Sequence, residues 1–435
     1  MSVDIVSNTV VGGDTPYIYR ATDNPAFWWL CTLSSLPFLS AITSLELDGV
    51  YAGWQVITRR FWLIPQLFEI ATIVFALSKG WSPTAEFRSV NLPVKLLVLL
   101  WAINLAIATA MAERPQTAVL SAINWMIHGL FALSIWHLFK GWAANSANGI
   151  AATLPVGSAT FGLLIIGFVS LVGISSDYNW IFSLPGFTHI RHSGYFLMPA
   201  IALSTWMIFS SSGRAKYIHT FLLAMNFGFA IWIGSRGPLI VYGVLLIPAM
   251  LLFVHVYPRA KFVSGMSITA ALLAGILMSQ TIPVPNYNNF NALARFWNAD
   301  ASVDSFSSGR TELWRDTLKA ISQQPFLGHG GNQFRQQIPA ARNSSNHPQN
   351  SILQFTYEWG LFGALAMCGI IALGVAAMLR ATMRDPERNL GLFFAGSSIL
   401  LFSLIDGLLY YNLPIMLFLV CVAGMLVQGQ SRHQN

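Results

Sequence analysis

Charged side chains are scarce in this sequence, because Asp, Glu, Lys and Arg together make up 9% of its 435 residues. Soluble domains carry about 25% charged residues, so this chain cannot cover a water-facing surface. Hydrophobic residues make up 54% of the chain, and its mean hydropathy is +0.56. The 15 Trp and 30 Phe residues suit the two interfaces of a bilayer. The composition therefore predicts a membrane protein.

Motifs for metal binding and for common nucleophiles are missing as well. The sequence contains no Asp-x-Asp, no His-Glu-x-x-His, no glycine-rich phosphate loop and no Gly-x-Ser-x-Gly. Its 3 cysteines, Cys31, Cys368 and Cys421, lie in apolar runs without the spacing of a metal site. A metal-dependent nucleotide-sugar transferase is disfavoured, and we expect neither a metal nor a cofactor. The net charge of +7, spread over a membrane protein, does not indicate nucleic acid.

Long apolar runs predict the architecture, since a helix that crosses a bilayer needs about 20 mainly apolar residues. They predict an all-α polytopic membrane protein with about twelve transmembrane helices. We divide the chain into residues 1–280 with about nine spans, 281–350 as a loop with amphipathic helices, and 351–435 with about three spans. The predicted spans are 27–46, 61–78, 96–112, 118–139, 157–174, 194–210, 218–234, 238–256, 263–280, 351–378, 390–408 and 411–429.

Lysine and arginine in the short connections indicate the orientation, since these residues concentrate on the cytoplasmic side of a membrane. With both termini in the cytoplasm, plain basic turns such as "SSGRAK" and "YPRAK" fall on that side. We therefore expect a multi-pass inner-membrane protein whose loop at 281–350 is periplasmic. The residues assigned to the cytoplasmic side are Lys79, Arg88, Lys95, Lys140, Arg214, Lys216, Arg259, Lys261, Arg380, Arg384 and Arg388.

The opposite, outer side carries arginines where the charge rule predicts few. A single arginine at the end of a span is usually an anchor whose charge reaches the interface, so the argument rests on several together. Several arginines on one face indicate an anionic ligand on the outer side. The outer arginines are Arg59, Arg60, Arg191, Arg236, Arg295, Arg310, Arg315, Arg335 and Arg342.

One helix is predicted inside the loop. Ser307 and Ser308 can cap its start, and Gln324-Pro325 ends it. Apolar residues recur at helical spacing, so we expect an amphipathic helix near the membrane surface. Its predicted apolar face consists of Leu313, Thr317, Leu318 and Ile321.

Arginine and histidine are the candidate chemical groups on the outer face. Arginine stays charged and binds phosphate oxygens with two parallel hydrogen bonds, and histidine is a base near neutral pH. Arg191 begins a span in "IRHSGYF", Arg236 lies in the turn "GSRGP", and Arg310 begins the loop helix. His347 lies in "NHPQN", just before the next span. These residues predict a site that holds a pyrophosphate, a good leaving group once its charge is stabilised.

Five further residues are predicted to line the substrate site. Gly331 in "GHGGNQF" permits a close approach of the backbone to a ligand. From spacing alone, His192 and His329 also fit ordinary solvated or capping roles. The substrate-binding candidates are Gln349, Asn350, Gly331, His192 and Trp314.

Taken in order, these segments resemble the O-antigen ligase and O-antigen polymerase superfamily. The resemblance covers roughly the C-terminal half, and the N-terminal half matches only in its run of spans. It implies an all-helical, GT-C-like membrane fold with a large periplasmic loop before the last spans. The matching segments are "RHSGYF" at 191–196, "SRG" at 235–237, "SGRTELW" at 308–314, "PFLGHGGNQF" at 325–334 and "HPQNSILQFTYEWGLFG" at 347–363.

The resemblance further implies an inverting, metal-independent glycosyltransferase, in the first place an O-antigen ligase. Such an enzyme moves a glycan from undecaprenyl pyrophosphate to the outer-core sugar of lipid A–core on the periplasmic face, completing lipopolysaccharide. Its partners would be these two substrates and membrane lipid. Carried over by position, Arg191, Arg236 and Arg310 would hold the pyrophosphate, and His347 would be the base.

One position departs from the family pattern, which often reads His-Pro-His-Asn where this chain has His347-Pro348-Gln349-Asn350. A reaction that relies mainly on stabilisation of the leaving group by arginines is therefore an alternative. An O-antigen polymerase and a protein O-oligosaccharyltransferase of the same superfamily are alternative functions. A transporter of lipid-linked glycans is the alternative from another class, but it predicts a polar path through similar halves, which the sequence does not show.

Overall fold

The computed structural model describes residues 25–43, 54–142, 146–172, 184–284, 290–297, 310–342 and 345–430. Within these ranges the chain forms helices and no β-strand. The helices are α1 (Pro25–Ile42), α2 (Trp54–Ser78), α3 (Pro83–Ser89), α4 (Leu92–Met111), α5 (Pro115–Gly141), α6 (Ile150–Val172), α7 (Gly194–Ser210), α8 (Gly213–Trp232), α9 (Arg236–Val256), α10 (Lys261–Thr281), α11 (Ala292–Trp297), α12 (Arg310–Gln323), α13 (Phe334–Gln337), α14 (Ser351–Arg384), α15 (Pro386–Asp406) and α16 (Asn412–Gln430).

The predicted all-α polytopic membrane fold is confirmed, and each of the twelve predicted runs lies largely on a helix. In the described part of the chain, 10 helices are long and apolar enough to span a membrane. The count is 11 if Trp62–Ser78 and Pro83–Ser89, which are bent by 91° at their junction, form one span. The remaining run is α8, whose length suffices but whose Lys216, His219 and Asn226 lower its hydropathy. The predicted count of about twelve is therefore one or two higher than the count by hydropathy.

Two sets of contacts lie at opposite ends of the helices, as the alternation of the predicted spans requires. At one end, Trp62 packs on Tyr411 with ring centroids 5.4 Å apart, and Gln333 of the loop bonds to the backbone of Arg114. At the other end, Lys140 pairs with Glu86. The first end, which we call the loop end, also carries the long segment between α10 and α14.

Three helices form the centre of the bundle. Almost all of α7 is buried, and most of α15 and α16 is buried around it. Helices α4, α9 and α10 bury only a minor part of their apolar surface, so they face the surroundings of the bundle, where lipid solvates apolar side chains. The start of α7, the end of α15 and the start of α16 lie at the loop end, so the polar side chains at these helix ends lie close together.

The predicted loop helix is present as α12, which ends at Gln323, one residue before the predicted stop. Leu313 and Thr317 are buried as predicted, but Leu318 is 55% exposed and Ala320 is buried in its place. The apolar face of α12 packs on α14 through a small core. The predicted caps Ser307 and Ser308 lie outside the described residues. The small core consists of Leu313, Ala320, Phe334, Ile338, Ala341 and Tyr357.

A break in α14 anchors the loop to the bundle. Gly360 has φ 67° and ψ −176°, which no helix residue adopts, and the turn around it leaves backbone carbonyls without helical partners. The N–H of His329 donates to the carbonyl of Tyr357 at 2.8 Å, and the N–H of Gly330 donates to that of Glu358 at 2.9 Å. The glycine-rich segment "GHGG" therefore has a structural role, because it binds the backbone of α14.

Candidate active site

Four arginines converge on one cleft at the loop end. Arg191, Arg236 and Arg310, which were predicted from separate segments, line this cleft together with Arg295 and Asp406. We call these five residues the arginine cleft. The formal charges of four arginines and one aspartate sum to +3. The structure thus brings the three predicted arginines together, and it adds one cation and one anion.

Two glycines let the helix ends that carry these residues approach each other. A Cβ on Gly194, at the start of α7, would lie 2.8 Å from Ser235 Oγ and 2.6 Å from Pro238 Cγ, so the α7 and α9 starts touch there. A Cβ on Gly237 would lie 2.3 Å from the ring of Phe402 on α15. The glycines of "RHSGYF" and "SRGP" therefore position Arg191, Arg236 and Asp406 through close packing.

Arg295 is fixed by the backbone of its neighbours. Its Nη1 donates to the carbonyl of Gly234 at 2.6 Å, and its own carbonyl accepts a bond from Arg236 Nη1 at 3.3 Å. Asn291 caps α11, because its side-chain oxygen accepts the N–H groups of Leu293 and Ala294. Main-chain contacts thus hold Arg295 and Arg236 side by side at the cleft.

The cleft carries an excess of positive charge. Burial, followed by the neighbouring charges of Arg191, Arg236 and Arg310, lowers the pKa of Arg295 to about 9. Arg295 therefore stays protonated at neutral pH, and its lowered pKa reflects the free-energy cost of burying the guanidinium and, second, of keeping like charges together. An anion with two or more charges would remove this cost, so the cleft is suited to a pyrophosphate.

Asp406 at the end of α15 partly compensates the arginines. Its Oδ1 accepts a hydrogen bond from Arg310 Nη2 at 3.3 Å, and both side chains are mostly buried. The sequence analysis gave Asp406 no role in this site. The signal that it belongs here is its side of the membrane, because the alternation of spans puts the end of α15 with Arg191 and Arg236.

His347 belongs to a row of hydrogen-bonded side chains beside the cleft. Its Nε2 lies 3.1 Å from Tyr411 Oη, and Tyr411 Oη lies 3.2 Å from His192 Nε2. His192 Nδ1 lies 2.9 Å from Thr188 Oγ1. The N–H of Gln349 donates to His347 Nδ1 at 3.1 Å, so a neutral His347 carries its proton on Nε2. We call His347, Tyr411 and His192 the histidine row.

The described arrangement offers no open nitrogen on His347 for an acceptor hydroxyl. Both ring nitrogens have protein partners, and its ring stacks on Tyr410 at 4.8 Å between centroids. Burial, and then the charge of Arg310, lowers the pKa of His347 to about 3. The side chain is therefore neutral at physiological pH but a weak base. Its predicted role as base stays a prediction, and it requires the bond from Gln349 to open.

The remaining predicted residues lie in the same region with mainly structural contacts. Asn350 caps α14 by accepting the N–H groups of Ile352 and Leu353 at 3.0 Å each, and its Nδ2 donates to the Leu404 carbonyl. Trp314 donates its indole N–H to the Pro348 carbonyl at 2.8 Å. Both residues therefore hold the His347 segment against α12 and α15, and neither lines the arginine cleft.

Gly331 has a packing role, whereas Gln349 has an unpartnered hydrogen-bond acceptor. A Cβ on Gly331 would lie 2.2 Å from Ser121 Oγ, so this glycine lets the loop approach α5. Gln349 Oε1 is buried and has no hydrogen-bond partner, so it can accept one from a substrate. His329 bonds to the Ala320 carbonyl at 2.9 Å and stacks on Tyr357, which fits the ordinary structural role considered for it.

Comparison with known protein families matches part of the chain. A family model described as O-antigen ligase matches residues 199–368. This match supports a member of the O-antigen ligase and polymerase superfamily. The match includes Arg236, Arg295, Arg310 and His347, while Arg191 precedes it. No curated protein matches the sequence.

Sequence reasoning did not assign Arg295, Asp406 or Tyr411 to the site, and the last two lie outside the matched residues. Arg295 was counted among the outer arginines, but nothing in its spacing connected it with Arg236. The bond between the two depends on a loop that returns to the start of α9, which no local pattern encodes.

Proposed function

We propose that this protein transfers a glycan from undecaprenyl pyrophosphate to lipid A–core on the periplasmic face of the inner membrane, as an O-antigen ligase. The superfamily supports a glycosyltransferase that acts on lipid-linked glycans. The observation that carries the proposal is the arginine cleft, in which four arginines surround one carboxylate. The excess charge is suited to the leaving group of such a donor.

The arginine cleft would hold the pyrophosphate of the donor. Arg191, Arg236, Arg295 and Arg310 would donate hydrogen bonds to its oxygens, and Asp406 would give up part of its contact with Arg310 as the anion binds. Charge develops on the departing phosphate oxygen in the transition state. Donors that are already in place stabilise this charge without reorganisation, so they lower the barrier more than they strengthen ground-state binding.

The transfer itself would be a single in-line displacement. The acceptor hydroxyl oxygen bonds to the anomeric carbon, the bond between that carbon and the phosphate oxygen breaks, and its electron pair leaves with undecaprenyl pyrophosphate. The configuration at the anomeric carbon is inverted. Because His347 is engaged at both nitrogens, we propose that the hydroxyl proton goes to an oxygen of the departing pyrophosphate, and that His347 positions Tyr411.

Purified components test the function. The full-length protein in liposomes receives an undecaprenyl-pyrophosphate glycan, with or without purified lipid A–core, in the presence of EDTA. A ligase caps lipid A–core and leaves the donor length unchanged when the acceptor is omitted. Extension of the donor without lipid A–core would instead identify a polymerase. Loss of transfer in EDTA that added divalent cation restores would contradict the metal-independent mechanism.

A further inference from the structure

A second cleft lies beside the histidine row and is separate from the arginine cleft. Its volume is about 530 Å³, within the usual range for a small-molecule site. It lies between the starts of α2, α5 and α14 and the loop segment around α13. We call it the polar cleft, and the lining residues that matter here are Trp62, Asn124, Gln354, Glu358 and Tyr410.

Three hydrogen-bond acceptors lining the polar cleft have no partner. They are Asn124 Oδ1, Gln354 Oε1 and Glu358 Oε2, and all three atoms are buried. Gln354 and Glu358 are 1% and 2% exposed. A buried polar group without a partner costs about 1–3 kcal/mol, and more when it is charged. Such acceptors are suited to a ligand that brings several O–H or N–H donors.

The other walls fit the rings of a carbohydrate. Trp62 and Tyr410 supply aromatic surface, which packs on the apolar faces of sugar rings, and they hold each other in an edge-on contact at 5.3 Å. Tyr410 donates its hydroxyl to Asn332 Oδ1 at 3.1 Å, so its ring position is fixed. Three acceptors between aromatic walls are suited to a ring system with several hydroxyl groups.

Glu358 is fixed in place before any ligand arrives. Gln354 Nε2 donates to Glu358 Oε1 at 3.3 Å, and this leaves Oε2 as the oxygen that is available to the cleft. The carbonyl of Glu358 accepts the N–H of Gly330, so the broken turn at Gly360 locks the backbone at this point. The carboxyl group is therefore held in place before a ligand binds.

The position of the cleft identifies which substrate would occupy it. Tyr410 lines the polar cleft and stacks on His347, so the histidine row separates this cleft from the arginines. On its other side, Leu120 and Ile123 of α5 are exposed apolar residues at the rim. A lipid-anchored glycan could enter past this rim from the membrane while its sugar lies among the acceptors.

We propose that the polar cleft binds a sugar of the acceptor glycan, with Glu358, Gln354 and Asn124 accepting hydrogen bonds from its hydroxyls. The identification of this sugar as part of the acceptor substrate rests on the proposed glycan transfer. The carbohydrate site itself does not depend on catalysis. Glu358 is assigned to binding the acceptor, in a cleft next to the one that holds the leaving group.

Direct binding tests the site without any turnover. The probe is the delipidated core oligosaccharide from the source strain, titrated into the full-length protein in nanodiscs without donor. We expect Glu358→Gln and Gln354→Met to weaken its binding about 10-fold each, since each removes or weakens a hydrogen bond to a buried acceptor. Glu113→Gln is the matched control, because Glu113 is an exposed carboxylate at the same end of the bundle.

Arg310→Ala separates this inference from the proposed function. That variant should bind the oligosaccharide like the wild type and fail in transfer. Binding by a wild type that shows no transfer would keep the carbohydrate site and reject the ligase. Absence of binding to the wild type, or equal binding by both cleft variants, would overturn the site. A raised KM for the donor with an unchanged KM for lipid A–core in Glu358→Gln would also overturn it.

Discussion

Arg310 Nη2 and Asp406 Oδ1 lie 3.3 Å apart, and this contact joins the loop helix α12 to the end of α15. Among the described residues that line the arginine cleft, Asp406 is the single carboxylate, so under the proposed function it would compete with the pyrophosphate for Arg310. Under the proposed function, the pair would link the stability of the free protein to the binding of the donor.

Asp406→Asn should strengthen the response of the protein to pyrophosphate. Removing one partner of a buried ion pair leaves the other charge uncompensated, at a cost that reaches about 3–5 kcal/mol for fully buried pairs. The variant should unfold at a lower temperature than the wild type when free, and inorganic pyrophosphate should stabilise it more. Thermal unfolding with and without pyrophosphate measures both effects. Equal stabilisation of the two proteins would argue that Asp406 does not compete for the cleft.

Arg295→Ala should raise the KM for the donor and lower kcat, together reducing kcat/KM by about 10- to 100-fold, the range for losing a charge-assisted hydrogen bond. Steady-state transfer at varied donor concentration measures the loss. Arg315→Ala is the control, because Arg315 is an exposed arginine on the loop helix. If both variants keep wild-type kinetics, Arg295 does not contact the donor.

His347 should make the protein less stable in mild acid. The pKa of His347 is lowered to about 3 in the folded protein, against about 6.5 when unfolded. Between these two pH values, His347 binds a proton in the unfolded chain but not in the folded protein. The free energy of unfolding is therefore unaffected by this group above pH 6.5 and decreases as the pH falls toward 3. Thermal unfolding of wild type and His347→Gln from pH 7.5 to pH 5 should show a smaller decline in the variant. Parallel curves would show that His347 does not titrate in this way.

Gly407→Ala should disturb the histidine row. Gly407 has φ 61°, and a Cβ there would lie 2.5 Å from His347 Nδ1. Gly80→Ala is a matched control, because Gly80 has φ 82° and nothing within 4 Å of the added Cβ. Both variants carry the backbone cost of about 1–2 kcal/mol for a left-handed residue, but only Gly407→Ala moves His347. Transfer should fall in Gly407→Ala and persist in Gly80→Ala, and equal transfer by the two would separate His347 from activity.

The sequence predicts much of the fold because apolar length and the alternation of basic turns act locally along the chain. The twelve apolar runs and the grouping of Arg191, Arg236 and Arg310 at one end follow from these signals. Leu318 was placed on the wrong face of the loop helix, because helical spacing alone does not distinguish it from Ala320 on the neighbouring stripe.

The finer parts of the site depend on contacts between distant segments. Arg295 is held at the cleft by its hydrogen bond to the carbonyl of Gly234. Trp314 and Asn350 donate hydrogen bonds to backbone carbonyls of other segments. None of these contacts has a sequence pattern, because each requires the loop to return to a particular helix end. The same holds for the three unpartnered acceptors of the polar cleft, which come from two helices far apart in sequence.

The most direct test of the account is transfer in liposomes by wild type, Arg310→Ala and Arg315→Ala, with the undecaprenyl-pyrophosphate glycan, lipid A–core and EDTA. The account predicts that wild type and Arg315→Ala cap lipid A–core, while Arg310→Ala is folded and loses transfer by about 10- to 100-fold or more. Normal transfer by Arg310→Ala, and likewise by Arg191→Ala and Arg236→Ala, would contradict the claim that the arginine cleft holds the leaving group.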